Sequence, residues 1–207
     1  TGLQKKYGFS LSTVTDRPQL AAELEMLRPE LVISARFSHI FTPAMLTLVK
    51  HGIINIHPAA LPSFAGLFGP MRTLAEGLDC FSCAVHLVDQ GIDSGPLLHV
   101  ARLPIMPGEG LLHQIAEIYP LAIPYLLHAI VRLSRGEALA PEPQDRSTRR
   151  YRSFPSVQEV DQFVVAGGRF WDAVPYQQLL QRFQPGNSFE VDPVKCACAK
   201  KPAPRPA

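Results

Sequence analysis

Gly52-Ile53-Ile54-Asn55-Ile56-His57-Pro58 is the stretch that decides the fold. Its β-branched residues predict a buried strand. Side chains two apart on a strand share a face, so Asn55 and His57 are expected to point the same way. Pro58 cannot donate to a sheet ladder and ends the strand, which leaves His57 at its carboxyl edge. In open α/β sheets that edge is where ligands bind. Asp93 follows His57 by 36 residues, within Gly91-Ile92-Asp93-Ser94-Gly95-Pro96.

Working upstream, Glu30-Leu31-Val32-Ile33-Ser34 predicts another buried strand, and Thr42-Pro43 opens a helix through Lys50 that Gly52 closes. Strand, helix, strand at this spacing is a βαβ unit, which predicts a mostly parallel sheet flanked by helices. Asp16 reads as an N-cap, with Pro18 in the first turn of a helix that Pro29 stops. Before it, residues 1–9 read as the end of an element, a helix, and Phe9 to Thr15 as a short strand.

Downstream, Ala59 to Pro70 is an irregular segment punctuated by Pro62, Gly66 and Gly69, and a helix from about Met71 to Glu76 follows. Phe81 to Val88 and Pro96 to Pro104 read as two strands joined by the Gly-rich turn that contains Asp93. From Gly110 to Leu133 apolar residues recur at helical spacing, with Pro120 and Pro124 expected to kink or split that helix. Beyond Gly136 the composition shifts. Pro141-Glu142-Pro143 reads as a linker and Val157 to Phe163 as a small helix.

The chain has 207 residues, 46% of them apolar and 18% charged, which suits one domain or one domain with an appendage. A net charge of +2 gives no case for nucleic-acid or membrane-surface binding. No apolar run reaches the length of a membrane span. Cys80 and Cys83 sit in or near a strand and Cys196 and Cys198 in the tail, which is no disulfide framework, so a reducing cytoplasm fits best. Arg149, Arg150 and Arg152 form a basic run that reads as a solvated face. The chain opens on Thr1 without a signal peptide or initiator Met, as a fragment would.

The residue types around Asn55 suit acyl transfer. An amide N–H from Asn55 can donate to a developing oxyanion. His57 titrates near neutrality and can stabilise that charge or move a proton. A carboxylate such as Asp93 beside the imidazole is expected to raise its pKa and fix its orientation. No Ser or Cys stands beside the trio as a covalent nucleophile, so direct transfer fits better than an acyl-enzyme.

Asn55-Ile56-His57-Pro58-Ala59-Ala60-Leu61-Pro62 resembles the Asn-Ile-His-Pro-Ser-Leu-Leu-Pro hallmark of the tetrahydrofolate-dependent formyltransferase family. Val88-Asp89-Gln90-Gly91-Ile92-Asp93-Ser94-Gly95-Pro96 resembles that family's later signature, and the 36-residue separation matches its glycinamide ribonucleotide member. The resemblance covers residues 10–135 or so. It implies a Rossmann-like formyltransferase fold, amino-terminally incomplete because the family's first βα unit has no counterpart here. By the same resemblance residues 1–140 form the catalytic domain, while composition reads 141–191 as a small C-terminal extension and 192–207 as a disordered tail.

The resemblance also implies roles. Asn55, His57 and Asp93 would be the catalytic trio, with Asp93 holding His57 protonated. The formyl donor would be 10-formyltetrahydrofolate, held by Ser38, His39, Ile40 and Phe41 and by Asp89, Gln90, Gly91 and Ile92, with no metal. Ile40 and Phe41 read equally well as core. The acceptor would be a primary amine of a small molecule, attacked through a tetrahedral intermediate. Two other readings stay open: a hydrolase that deformylates the same donor, and a non-catalytic or truncated binding module.

Overall fold

The computed structural model describes residues 2–182 and 184. Its centre is a four-stranded sheet in the order β1-β2-β4-β5, built from β1 (Val32–Ala35), β2 (Ile53–His57), β4 (Cys80–Leu87) and β5 (Leu97–Pro104). β1 and β2 run parallel, connected by the helix α3 (Pro43–Thr47), as the βαβ spacing requires. β4 runs antiparallel to β2 and β5 antiparallel to β4. The α/β class and the flanking helices agree with the sequence reading, but only one of the sheet's three pairings is parallel. The cause lies in the connections. A turn of nine residues between Leu87 and Leu97 can only fold β5 back on β4, because a parallel return needs a crossover of a dozen residues or so.

Strand alternation gives the two faces different work. Ile54, Ile56, Phe81, Cys83 and Val85 pack against Leu111, Ile118, Leu121, Ala122 and Leu126 of the helix α5 (Leu111–Ser134). On the other face Ile53 packs with Leu20 and Leu24 of α2 (Arg17–Leu27) and with Met45 of α3. Ile53 and Ile54 are 1% and 0% exposed, and burying such a side chain contributes roughly 1.5–3 kcal/mol. α2 and α3 cover the face at the amino end of β2. The next residues on that face, Asn55 and His57, are therefore left for something other than a helix.

Helix starts follow local chemistry. Asp16 accepts from the Gln19 amide at 2.8 Å, Thr42 caps α3 through the Met45 amide, and Ser156 with Glu159 closes a capping box on α6 (Val157–Val165). α4 (Gly69–Ala75) begins two residues before the sequence expectation. α5 is neither split nor ended by Pro120 and Pro124. Its apolar face continues on both sides of the prolines, and packing along the sheet outweighs a proline cost of about 3 kcal/mol. α5 is also long and apolar enough to cross a membrane, yet its Leu111, Ile118, Leu121, Ala122, Leu126 and Ala129 are buried in the cluster with the sheet.

Three features differ from expectation. Phe9 to Thr15 forms no strand. The Gln19 side chain takes the Thr13 carbonyl at 2.8 Å and the Thr15 amide at 2.9 Å, satisfying groups that a neighbouring strand would otherwise pair. Residues 1–9 do contain a helix, α1 (Gly2–Tyr7). Beyond the linker, β6 (Tyr151–Arg152) pairs in parallel with β3 (Ala65–Gly66), and α7 (Ala173–Arg182) follows α6. The predicted tail at 192–207, with Cys196 and Cys198, lies outside the described residues.

Candidate active site

In β2, Ser34↔Asn55 is a parallel register pair and Asn55↔His86 and His57↔Ala84 are antiparallel ones, so Asn55, His57 and His86 all leave the same face. Ala84 is the small member of the set and is fully buried. Leu61 and Ala65 pack onto it, which brings the Pro58–Gly66 segment down over the sheet. The Phe64 carbonyl thereby reaches Nε2 of His57 at 2.8 Å.

Asp93 comes from the β4–β5 turn. Its φ of 51° is left-handed, a conformation Asp tolerates better than most residues. Gly95 is demanded by space, since a Cβ there would run into the Leu87 carbonyl. So folded, the turn lays the Asp93 carboxylate over the sheet. Oδ2 lies 3.5 Å from Nδ1 of His57 and accepts the Gly66 amide at 2.8 Å, while Oδ1 lies 3.6 Å from Nε2 of His86. The trio expected from the sequence is therefore assembled, with Asn55 reached through His86 at 3.1 Å.

Burial decides the resting charges. His57 is 6% exposed, and its desolvation holds the imidazole below its ordinary pKa. Asp93 and the Phe64 carbonyl pull it back up without overcoming that effect. Asp93 does raise the pKa of His57, as expected, but burial acts more strongly, which corrects the expectation that the carboxylate keeps the ring protonated. For Asp93, burial would push the carboxyl up. The imidazoles of His86 and His57 in their protonated forms, together with the Gly66 amide, hold it below the usual carboxylate range. The resting site thus pairs a neutral imidazole with an ionised carboxylate. Phe64 fixes the tautomer, because a carbonyl only accepts and Nε2 must carry the proton.

A strap of chain after the linker locks both loops. Gln144 Nε2 donates to the carbonyls of Asp93 (3.1 Å) and Gly95 (2.6 Å), and Arg149 donates to the Ile92 carbonyl at 2.6 Å. The Arg150 amide bonds the Pro62 carbonyl, and β6 pairs with β3. Arg150 and Arg152 both reach Glu76 on the residue capping α4, at 3.2 and 3.0 Å. Buried Arg72 donates to the carbonyls of Leu67 and Ser153. The basic run expected to be a solvated face is instead a clasp. Gln144→Ala leaves two carbonyls of the Asp93 turn without this donor and is expected to cost about 1–3 kcal/mol. Urea unfolding measures this, and an unchanged midpoint would show that the strap does not hold the turn.

The eight residues expected to hold the donor fall on two loops. Ser38 to Phe41 follow β1, and Asp89 to Ile92 follow β4. Phe41 and Val88 belong to one apolar cluster, which brings the loops together. Phe41 is core, 8% exposed and stacked on Phe37, whereas its neighbour Ile40 is 46% exposed. Ser38, Gln90, Gly91 and Ile92 are exposed and His39 is half-buried. The Asp89 carboxylate is engaged within its own loop by the Gly91 amide and the Ser94 hydroxyl. What this surface offers a ligand is backbone groups, the exposed Ser38 and Gln90 side chains and the apolar side chains of Ile40 and Ile92.

This geometry can be set against known proteins. The formyl transferase family model matches residues 4–117, more than half of the chain. The chain belongs to the formyl transferase family. It is 32% identical over 134 residues to a methionyl-tRNA formyltransferase of a Synechococcus strain, covering 65% of this chain and 41% of that protein. It is 41% identical over 81 residues to the phosphoribosylglycinamide formyltransferase of Mycobacterium tuberculosis, covering 39% of this chain and 38% of that one. The crystal structure of HypX from Aquifex aeolicus with tetrahydrofolic acid shares the fold, with a TM-score of 0.60 at 17% identity over 69% of this chain and 24% of that one. The chain thus spans about two fifths of the length of these two curated relatives.

Within this formyl transferase family member the sequence reading missed two groups that touch the trio. His86 sits on β4 seven residues before Asp93, and the alternation of that strand was enough to place it on the face of its register partner. Gln144 had no comparable signal, since it lies just after the linker on a strap whose path depends on tertiary contacts. Cys83, a reactive residue type near the site in sequence, is on the α5 face and fully buried, and burial pushes its thiol up to about 12.

Proposed function

We propose that the chain transfers a formyl group from 10-formyltetrahydrofolate to a primary amine of a small molecule. The observation that carries this reading is the convergence of the Asn55 amide, a neutral imidazole and an ionised carboxylate on one sheet face of a formyl transferase family member. Relatives named for phosphoribosylglycinamide and methionyl-tRNA, and a fold neighbour holding tetrahydrofolic acid, support the donor and an amine acceptor.

In this mechanism the amine nitrogen forms a bond to the formyl carbon, and the second N–H of Asn55 Nδ2 donates to the oxygen as it gains charge. His57 carries its proton on Nε2, which leaves Nδ1 basic and facing Asp93 Oδ2. The proton lost by the amine is held between Nδ1 and Oδ2 as an imidazolium–carboxylate pair. It leaves again for the folate nitrogen as the carbon–nitrogen bond to the donor breaks. Ile40, Ile92 and the backbone of the 38–41 and 89–92 loops hold the folate beside this face. No side-chain nucleophile takes part.

The test is turnover of 10-formyltetrahydrofolate by the whole chain, with tetrahydrofolate and formate followed with and without a panel of small amines. Amine-dependent tetrahydrofolate release without formate is the expected result. Formate release that ignores added amine would instead make the protein a hydrolase, and no turnover with retained folate binding would make it a binding module. Asn55→Ala is expected to lower kcat about 10²–10³-fold with folate affinity unchanged, because its amide acts on charge that exists only in the transition state. An affinity loss of the same size would move Asn55 from catalysis to binding.

A further inference from the structure

His86 is 2% exposed in β4, and none of the steps above uses it. Its ring is fully committed nonetheless. Nδ1 lies 2.8 Å from the Leu87 carbonyl, which can only accept, so Nδ1 carries the proton. In the neutral ring Nε2 is then an acceptor, and it meets Nδ2 of Asn55 at 3.1 Å. The reverse orientation of the Asn55 amide would set its oxygen against the lone pair of Nε2, so this imidazole leaves the amide one favourable pose. In that pose one N–H is engaged by His86 and the other has no partner among the described residues. The same Nε2 stands 3.6 Å from Asp93 Oδ1, while Asp93 Oδ2 faces His57. His86 thus lies between the Asn55 amide and the carboxylate–imidazole pair, bonded through Nε2 to the amide alone.

We propose that His86 is a positioning residue: as the neutral Nδ1–H tautomer it sets the orientation in which Asn55 presents its free N–H to the substrate oxygen. The assignment rests on the formyl-transfer reading for its effect on rate, but the pairing itself is independent of that reading. A buried imidazole is a costly filler for a sheet face, where Leu or Val would pack without the need for two polar partners. Its presence at the register position opposite Asn55 follows if its purpose is to select one of two amide orientations.

Two arms test this. Long-range ¹H–¹⁵N NMR of the whole chain is expected to show His86 as the Nδ1–H tautomer, with one Asn55 side-chain amide proton shifted downfield. That shift should vanish in His86→Leu and persist in His86→Gln, whose amide oxygen can replace Nε2. In the kinetic arm, His86→Leu is expected to lower kcat about 10–100-fold at unchanged KM for the folate donor, as a misplaced catalytic group does. His86→Gln should recover most of that loss. In an Asn55→Ala background the same His86→Leu change should cost under about 3-fold, because the two residues act as one unit. A His86 found as the Nε2–H tautomer, or equal costs in both backgrounds, overturns the proposal. An inactive wild-type chain would fail the formyl-transfer reading, and the NMR arm alone would then decide the pairing.

Discussion

Asp93→Asn is expected to lower turnover about 10³-fold, equivalent to about 4 kcal/mol of transition-state stabilisation, while the protein stays folded at neutral pH. The structure explains why the two effects separate. An Asn carbonyl can still accept the Gly66 amide in place of Oδ2, so the turn keeps its tie to the 58–66 segment. What disappears is the negative charge that stabilises His57 once Nδ1 has taken a proton. The variant's pH profile should move in a definite direction. Asp93 raises the pKa of His57 against the pull of burial, so without the charge His57 titrates lower still and the acid limb of kcat/KM moves to lower pH.

The stability profile has its own sign. Asp93 has a folded pKa below its ordinary 3.8, so its contribution is present above that value and lost as pH falls through the folded one. His57 is held below its ordinary 6.5, so the folded state prefers the neutral ring. Its contribution is full above 6.5 and declines as pH falls from there towards the folded pKa. The wild type is therefore expected to lose stability in two acid steps, and the Asn variant to lose the lower of them. Turnover of Asp93→Asn close to that of the wild type would remove Asp93 from the mechanism.

The parts of this site that could be read from sequence are those whose constraint is local. Ile53-Ile54-Asn55-Ile56-His57 had to be a strand because its composition suits a pleated, buried surface, and the period of two then placed Asn55 and His57 together. Gly95 and the left-handed Asp93 form a turn that the Gly-rich pattern announced. The sense of the strands was harder. The βαβ unit at β1 and β2 was legible, yet nothing local states that β4 enters the sheet antiparallel, since that depends on where the Pro58–Glu76 segment goes. The charge state of His57 also escaped, because a neighbouring carboxylate is visible in sequence and a burial of 94% is not. The clasp formed by Gln144, Arg149, Arg150 and Arg152 is the clearest case of illegibility. Their partners are main-chain carbonyls and one glutamate, Glu76, and no pattern of residue types marks a carbonyl as waiting for a donor.

Replacing His57 is expected to have the largest effect of any single change, and the choice of substitute decides what is learned. His57→Ala removes a buried ring, leaves the Phe64 carbonyl without its donor and takes one neighbour from Asp93 Oδ2. An unsatisfied buried carbonyl alone costs about 1–3 kcal/mol, so lost activity in that variant would confound chemistry with folding. His57→Gln separates them. Its amide N–H can take the place of Nε2–H towards Phe64, keeping the 58–66 segment over Ala84, but the side chain has no basic nitrogen to hold the amine's proton. The fall in kcat is expected to reach about 10³–10⁴-fold, the scale of losing a proton-transfer group whose partner charge remains in place. Folate affinity, measured by equilibrium binding, should stay within about 3-fold of wild type, because the donor is held by groups of the 38–41 and 89–92 loops and not by the ring. If His57→Gln instead bound folate poorly while turning over at saturation, His57 would belong to the folate pocket, and the proton would have to travel through Asp93 and water alone.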